Sequence, residues 1–398
     1  MTSVLAGSDL ESLHVNSAWA SLPLFDRTGW KRVRFGDVVE NCNETCEPAE
    51  AGLERFVAME HLEPGSLHVR SWGNVAYGTT FTRRCRPGQV LFGKRRAYQR
   101  KVAVAEFEAV VSGDIYVLAP KDTQRLLPEL LPFLCLSERF FQHAVGTSAG
   151  SLSPRTNWSS LASFEFDLPP LDQQRRFAEI LWAVDEVEET QMKLCDEVKN
   201  ARDQWFADVL QGASAETIKI ADLGKIITGT TPKTAEPKNY DPPERLFVSP
   251  ADIGSPRYVT TTEKRISEVG LLTGRAIPRN AVMVVCIGST IGKVAMAAEA
   301  CLTNQQINSI VCSERRDPLV AYYALLRQQG LFRQNASCTA VPILNKGNFT
   351  ATEIPYPKQH IEAKVAERLL EFEGAEENTS AAIENSRALK THLINAIL

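Results

Sequence analysis

The sequence predicts an α+β protein built twice: two duplicated α/β domains joined by two long antiparallel, coiled-coil-like helices, with pseudo-twofold symmetry. Three observations predict this. A proline-led motif occurs twice, Leu168-Pro169-Pro170-Leu171-Asp172-Gln173-Gln174 and Ile354-Pro355-Tyr356-Pro357-Lys358-Gln359-His360, aligning Pro169 with Pro355 and Gln173 with Gln359 at an offset of 186. Each motif opens a charged, helix-patterned run, 172–212 and 358–398. Ahead of each run lies a β-rich segment, and Arg34-Phe35-Gly36-Asp37-Val38-Val39 aligns with Asp222-Leu223-Gly224-Lys225-Ile226-Ile227 at an offset of 188. A period this long marks a duplicated domain, not a solenoid repeat.

At 398 residues the chain exceeds one ordinary core, and two domains of roughly 150 residues plus helices fit the size prior. The expected order is an N-terminal tail (1–28), a first domain (29–171), a central helix (172–212), a second domain (213–357) and a C-terminal helix (358–398). In the first domain, strands are expected at 33–39, 90–92, 101–105 and 114–119, followed by a helical stretch at 126–143 broken by Pro128 and Pro132. The second repeats this with strands at 218–227, 246–248, 281–287, 293–298 and 307–312, then a helical stretch at 318–335. Short apolar or alternating runs bounded by Gly, Pro and Asn are the strand signal, and the sheets should be antiparallel or mixed. Pro87 pairs with Pro278, Val111 with Leu302, Phe141 with Phe332, and Asn157-Trp158 with Asn348-Phe349, all at an offset of 191.

The first helix carries an apolar stripe at Phe177, Ile180, Leu181, Val184, Val187, Leu194, Val198, Ala201 and Trp205, with Val187 to Leu194 spaced like a coiled-coil seam. Asp172 is the expected N-cap and Gly212 the stop. The second stripe runs through Ile361, Val365, Leu369, Phe372, Thr379, Ile383, Leu389, Leu393 and Ile397. Gly374 interrupts it at a cost of about 1 kcal/mol relative to Ala, so a local irregularity is expected there. Each helix would reach about 60 Å at 1.5 Å per residue. A lone stripe needs a partner, and the other copy is the nearest candidate.

A hydrophobic content of 44% with 23% charged residues is that of a soluble globular protein. The N-terminus has no basic region and carries Asp9 and Glu11, which argues against a signal peptide. The longest strongly apolar stretch, 281–287, is far short of a spanning helix, so a cytoplasmic protein is expected. The nine cysteines form no framework; Cys42 and Cys46 are the only close pair, and the histidines (14, 61, 68, 143, 360, 392) are isolated. Metal is not indicated. The net charge of −4 divides unevenly, with −5 in 172–212, −2 in 358–398 and +3 in the remainder. Acidic helices and mildly basic heads suit a protein that meets phosphate through its domains.

No catalytic centre stands out. Gly288-Ser289-Thr290-Ile291-Gly292-Lys293 is one residue short of a P-loop, lacks its Ser or Thr, and leads into a strand, so a turn is expected. Asp241-Pro242-Pro243-Glu244 resembles an amino-methyltransferase loop but lacks the aromatic that would stack on a flipped base. Glu-x-Lys pairs such as Glu197/Lys199 and Glu362/Lys364 lie on the helices and read as surface charge.

The strongest functional patch is basic and aromatic: Arg83, Arg84, Arg86, then Lys94, Arg95, Arg96, Tyr98, Gln99, Arg100 and Lys101. Arginine forks bridge phosphates or read guanine, and Gln pairs with adenine. A solvated basic loop is the bland alternative. The matching stretch of the second copy has one base, Lys293.

The arrangement resembles the specificity (S) subunit of type I restriction–modification systems. Phe92-Gly93-Lys94-Arg95-Arg96-Ala97-Tyr98, Ser112-Gly113-Asp114-Ile115-Tyr116 and the run from Gly146 to Arg155 look like one type of target recognition domain. Gly229-Thr230-Thr231-Pro232, the Gly288–Lys293 turn and Thr303-Asn304-Gln305-Gln306-Ile307-Asn308 look like another. The lead-in at Leu168–Arg175 is similar to the family's central helix start, whereas Lys358-Gln359-His360 departs from the usual pattern. The resemblance extends from about residue 29 to the end. It implies a non-catalytic DNA reader in which each domain recognises half of a bipartite asymmetric target and the helices set the spacer. It also implies double-stranded DNA and two adenine methyltransferase subunits as partners, to which restriction subunits can be added. S-adenosylmethionine, ATP and magnesium would belong to those partners, with no cofactor in this chain. Arg155 and, in the second copy, Lys233, Ser289, Thr290, Lys293, Asn304 and Gln305 complete the candidate DNA-contacting set. A stand-alone DNA-binding protein and a coiled-coil interaction scaffold are the rival readings.

Overall fold

The computed structural model describes residues 26–254, 256–337 and 341–398. Most of the expected tail, with His14, and Cys338 lie outside these. The chain divides into two compact units, 26–193 with 379–398, and 194–378.

In the first unit, strands Val39–Asn41, Ile115–Pro120, Val90–Gly93 and Val102–Val104 form one antiparallel sheet in that order. A second sheet runs Gly73–Asn74, Arg55–Val57, Ala109–Val111, Arg83–Cys85, its middle pair parallel. Val90–Gly93 is buried throughout. Period-2 alternation sends Val90 and Phe92 into the aromatic core with Phe35 and Phe140, and Leu91 into a separate cluster with Val57 and Val111. That two-sided burial explains its unbroken apolar run.

The second unit repeats the plan. Gly224–Thr228, Ile307–Cys312, Val282–Val285, Val294–Ala297 and Tyr258–Val259 form a five-stranded mixed sheet. Lys264–Ile266, Arg245–Val248 and Leu302–Thr303 form a three-stranded one, again with a parallel pair. Val282 and Val284 face one core cluster, Met283 and Val285 the other. The strands expected at 33–39 and 218–227 are each interrupted by a turn of helix, Phe35–Val38 and Ile220–Leu223. These turns bury Phe35, Val38, Ile220 and Leu223, which an extended chain would split between two faces.

Backbone hydrogen bonds fix the true alignment of the copies, and it differs from the motif alignment. Lys121 N donates to Val38 O as Ser313 N does to Leu223 O, an offset of 185 at the acceptors. Lys94 N donates to Asp114 O as Cys286 N does to Gln306 O, an offset of 192. Val110 therefore matches Leu302, one residue from the expected pairing. Asn157 and Asn345 cap equivalent short helices, an offset of 188, so Asn345 and not Asn348 is the partner of Asn157. The long helices, Leu171–Gln211 and Gln359–Ile397, start at the same offset of 188, not 186. Asp172 thus lies in the first turn, and Pro169-Pro170 matches Pro357-Lys358. The buried Gln174 accepts from Leu127 N at 2.9 Å; its counterpart, the buried Glu362, accepts from Asp317 N at 2.6 Å. One anchor is kept with changed chemistry.

Within each unit the segments of the two long helices run antiparallel. In the first, Gln191 meets Ser386 and Asp185 meets Lys390; in the second, Trp205 packs on Phe372 and Arg202 pairs with Glu376. The expected seam fails in the middle. Val187, Leu194 and Leu389 are half exposed, while Asp185, Glu188 and Lys390 are buried. Lys390 Nζ lies 2.8 Å from Asp185 and 2.5 Å from Glu188, and Arg387 Nε lies 2.7 Å from Glu188. Charge pairing fills positions that heptad counting assigned to apolar neighbours. Gly374 produces no break, and the helix runs through it. Packing by Phe372 and ion pairs from Glu373 to Arg257 and Glu376 to Arg202 flank it and outweigh its cost of about 1 kcal/mol. Among the described residues no helix is long and apolar enough to cross a membrane.

Candidate nucleic-acid interface

The basic loop of the first unit follows strand Val90–Gly93 and is stitched to two other segments. Lys94 N donates to Asp114 O, Arg96 N to Pro154 O, and Thr156 N to Lys94 O, while Arg95 and Arg155 form an isolated antiparallel bridge. Residues 94–101, 112–114 and 146–156 therefore converge on one surface. Leu152, at 91% exposure, and Tyr98, at 56%, lie among them.

The convergence centres on Asp114, which the sequence reading left out of the candidate set. Its carboxylate accepts from Arg155 Nε at 2.8 Å and lies 3.3 Å from Arg95 Nη1. Burial works against ionising Asp114, yet the hydrogen bonds and charges of Arg155 and Arg95 hold its carboxyl below the usual range. Arg95 Nε also donates to Ser153 Oγ at 2.5 Å. Lys94 Nζ sits 4.8 Å above the Tyr116 ring. Burial, helped by the Arg83 charge, lowers the Lys94 pKa. A lone acid beside an apolar strand start gives little sequence signal; its place within three basic segments is visible only in three dimensions.

Other candidates separate by what already occupies them. Arg84 and Arg86 pair with Glu108 and Glu44 in a network on the neighbouring sheet, and Arg83 Nη1 donates to Ile115 O at 3.2 Å. Arg100 pairs with Glu138 and lies 5.3 Å from the centre of Phe141. Lys101 Nζ donates to Met59 O at 2.7 Å, and its counterpart Lys293 to Ile253 O at 2.9 Å. This shared bond is a structural clip. Lys101→Ala or Lys293→Ala should cost about 1.5–3 kcal/mol of stability, the worth of a hydrogen bond to a charged group. Urea unfolding checks this.

Arg96 and Arg100 adopt left-handed conformations, with φ of 53° and 54°, flanking the single helical turn Ala97–Gln99. Their counterparts are Gly288 and Gly292, with φ of 100° and 90°. The GSTIGK segment is therefore a turn leading into strand Val294–Ala297, as expected. The second copy meets the same backbone demand with glycine, and the first places arginines there. Gln99 N donates to Arg96 O at 2.8 Å within that turn.

In the second unit the candidates are polar and exposed or half-buried. Gln305 is exposed and accepts from Thr231 Oγ1 at 2.8 Å, and Asn304 Nδ2 donates to Gln306 Oε1 at 2.9 Å. Ser289 is exposed and Thr290 half-buried at the turn. Lys233 is 83% exposed, 3.7 Å from Glu236. The positions matching Arg95 and Arg155 are Ile287 and Ile343, joined by the same isolated bridge. No sequence motif pointed to them, because loop lengths shift the offset between their two segments.

The comparisons agree with this architecture. The chain is similar to the HindI specificity subunit of Haemophilus influenzae, 30% identical over 176 residues, covering 42% of this chain and 37% of that protein. It is also similar to the EcoDI specificity subunit of Escherichia coli, 24% identical over 197 residues, covering 46% of this chain and 42% of that protein. The matched stretches thus span about two fifths of these curated relatives. Among solved structures, the S subunit of a type I restriction–modification system from M. genitalium aligns with a TM-score of 0.57 at 12% identity, over 95% of this chain and 98% of that one. A chain from a structure of assembly and conformational transition in the type I R-M system aligns with a TM-score of 0.59 at 17% identity, over 93% and 99%. The family model for the type I restriction modification DNA specificity domain matches twice, over residues 28–200 and 214–385, and the chain belongs to that family.

Proposed function

We propose that this chain is the DNA-specificity subunit of a type I restriction–modification complex, acting in the cytoplasm in defence against phage. Each domain reads one half of a bipartite, asymmetric target; the long helices set the unread spacer and dock two methyltransferase subunits. The chain supplies recognition and no chemistry of its own. S-adenosylmethionine, ATP and magnesium belong to the methyltransferase and restriction partners. The observation that carries the reading is the doubled family match on a doubled fold whose exposed loops differ between copies. A stand-alone DNA-binding protein would need no methyltransferase, and a scaffold would select no sequence. Mapping methylated adenines in cells that hold the partner genes, with and without this chain, tests all three. A bipartite motif that disappears with the chain is expected, and an unchanged methylation pattern overturns the reading.

The spacer has its own test. The chain passes between units at Lys193/Leu194 and Asn378/Thr379, so four residues inserted at both points leave the contacts inside each unit intact. Four helical residues add about 6 Å, nearly two base pairs of B-DNA at ~3.4 Å each. The methylation motif should keep both half-sites and gain spacer. Altered half-sites with an unchanged spacer would sink the ruler role.

A further inference from the structure

The second unit serves as a control for the first, because each residue at the convergence has a counterpart defined by the same backbone bonds. Arg95, Arg155 and Asp114 become Ile287, Ile343 and Gln306. Gln306 there accepts from Asn304 Nδ2 at 2.9 Å and donates to Ile287 O at 3.4 Å. In the first unit one carboxylate, 19% exposed, holds two guanidiniums that remain 41% and 51% exposed. Arg95 spends Nε on Ser153 and one Nη1 hydrogen on Asp114, and Arg155 spends Nε and one Nη2 hydrogen on the two oxygens of the same carboxylate. The remaining donors of both half-exposed forks have no partner among the described residues.

A phosphate contact draws most of its strength from charge and carries no sequence information. This trio sums to a single positive charge, so half of its Coulomb attraction is already used. Orientation is what it has to offer. A planar fork held from behind matches the paired O6 and N7 acceptors of guanine in the major groove, and bracing removes the entropy cost of ordering it on contact.

Resting on the specificity-subunit reading, we propose that Arg95 and Arg155, braced by Asp114, read guanine in the first half-site. The second domain, with Ile287 and Ile343 in their places, reads no guanine through this position. Asp114 acts here as a positioning residue that does not touch DNA.

The test uses the full chain assembled with its methyltransferase partner and the motif mapped in cells. Duplexes carrying that motif, and versions with each base pair of either half-site replaced, are compared by competition binding. The wild-type complex should discriminate against replacing a G·C pair of the first half-site by roughly 10- to 100-fold. Arg155→Lys and Asp114→Asn should each reduce that ratio to about threefold or less while second half-site ratios hold, which also reports that the variant is folded. Asp114→Asn removes a negative charge, so its affinity for non-specific duplex should hold or rise; a merely structural role would lower it. Full discrimination retained in both variants, or loss spread evenly over all positions with a shallower salt slope, overturns the proposal. A wild-type complex with no sequence preference overturns the specificity reading instead.

Discussion

Replacing Lys390 with alanine should destabilise the first unit by about 3–5 kcal/mol, the usual cost of leaving a buried charge without its partner. Lys390 is 4% exposed, and it neutralises Asp185 and Glu188, each at 2%. Arg387 still reaches Glu188 and His68 still reaches Asp185 in the variant, which places the loss within that range and not above it. Urea unfolding of the full chain measures it. Replacing all three buried residues with apolar ones of similar volume should recover most of the stability, since a removed pair costs far less than a broken one. A single Lys390→Ala loss below about 1 kcal/mol would mean that water reaches the network.

The same network makes stability depend on pH in a stated direction. His68 Nε2 lies 2.9 Å from Asp185 and Nδ1 lies 2.5 Å from Glu106, so both ring nitrogens face carboxylates and both must carry protons. The hydrogen bond to Asp185 raises its pKa from 6.5 to about 9, against burial and with help from Glu106. A folded-state pKa above the unfolded one contributes stability in full below about pH 6.5 and loses it as pH rises through about 9. Asp185 behaves oppositely: burial opposes its ionisation, but His68 and Lys390 hold its pKa below 3.8. Its contribution is present above pH 3.8 and fades as pH falls through its folded value. Wild type should therefore lose stability from pH 6.5 through about 9, and His68→Gln should flatten that slope. A slope unchanged by the substitution would remove His68 from the account.

This network also shows what the sequence could and could not tell. Helix extents were legible to within a residue, Leu171–Gln211 against 172–212 and Gln359–Ile397 against 358–398, because proline lead-ins and long periodic runs mark helices strongly. Strand Ile307–Cys312 has its expected bounds. The helix seam was not legible: heptad counting scores apolar residues, and here Asp185, Glu188 and Lys390 hold the buried positions while Val187 and Leu389 are half exposed. Pairing of the copies was legible as a fact but not in register. Loops of unequal length move the offset from 185 to 192 to 188, and a proline two residues away offers a false match. At the candidate site the basic loop was visible by its density of arginines. Its bracing by Asp114 and its left-handed residues were not, since neither leaves a local pattern.

Arg96→Gly should weaken DNA binding roughly tenfold and reduce the magnitude of the salt slope by about 1, while leaving the fold as stable as before or slightly more so. At φ 53° a side chain with a Cβ is strained, by about 1–2 kcal/mol. Glycine relieves that but adds about 0.5–1 kcal/mol of chain entropy, so the net change should fall between zero and about 1.5 kcal/mol of added stability. Among the described residues Arg96 has no carboxylate partner, and its Nε is sheltered without a hydrogen bond. The second unit already carries this substitution, with Gly288 at the matching position and φ 100°. A strained arginine with no carboxylate partner among the described residues points to a role outside the fold, and DNA phosphate is the partner the proposed function supplies. Thermal unfolding and a salt titration of binding, run on the same variant, separate the possibilities. Undiminished affinity would return Arg96 to an ordinary surface residue, and a clear drop in melting temperature would show that its side chain supports the loop after all.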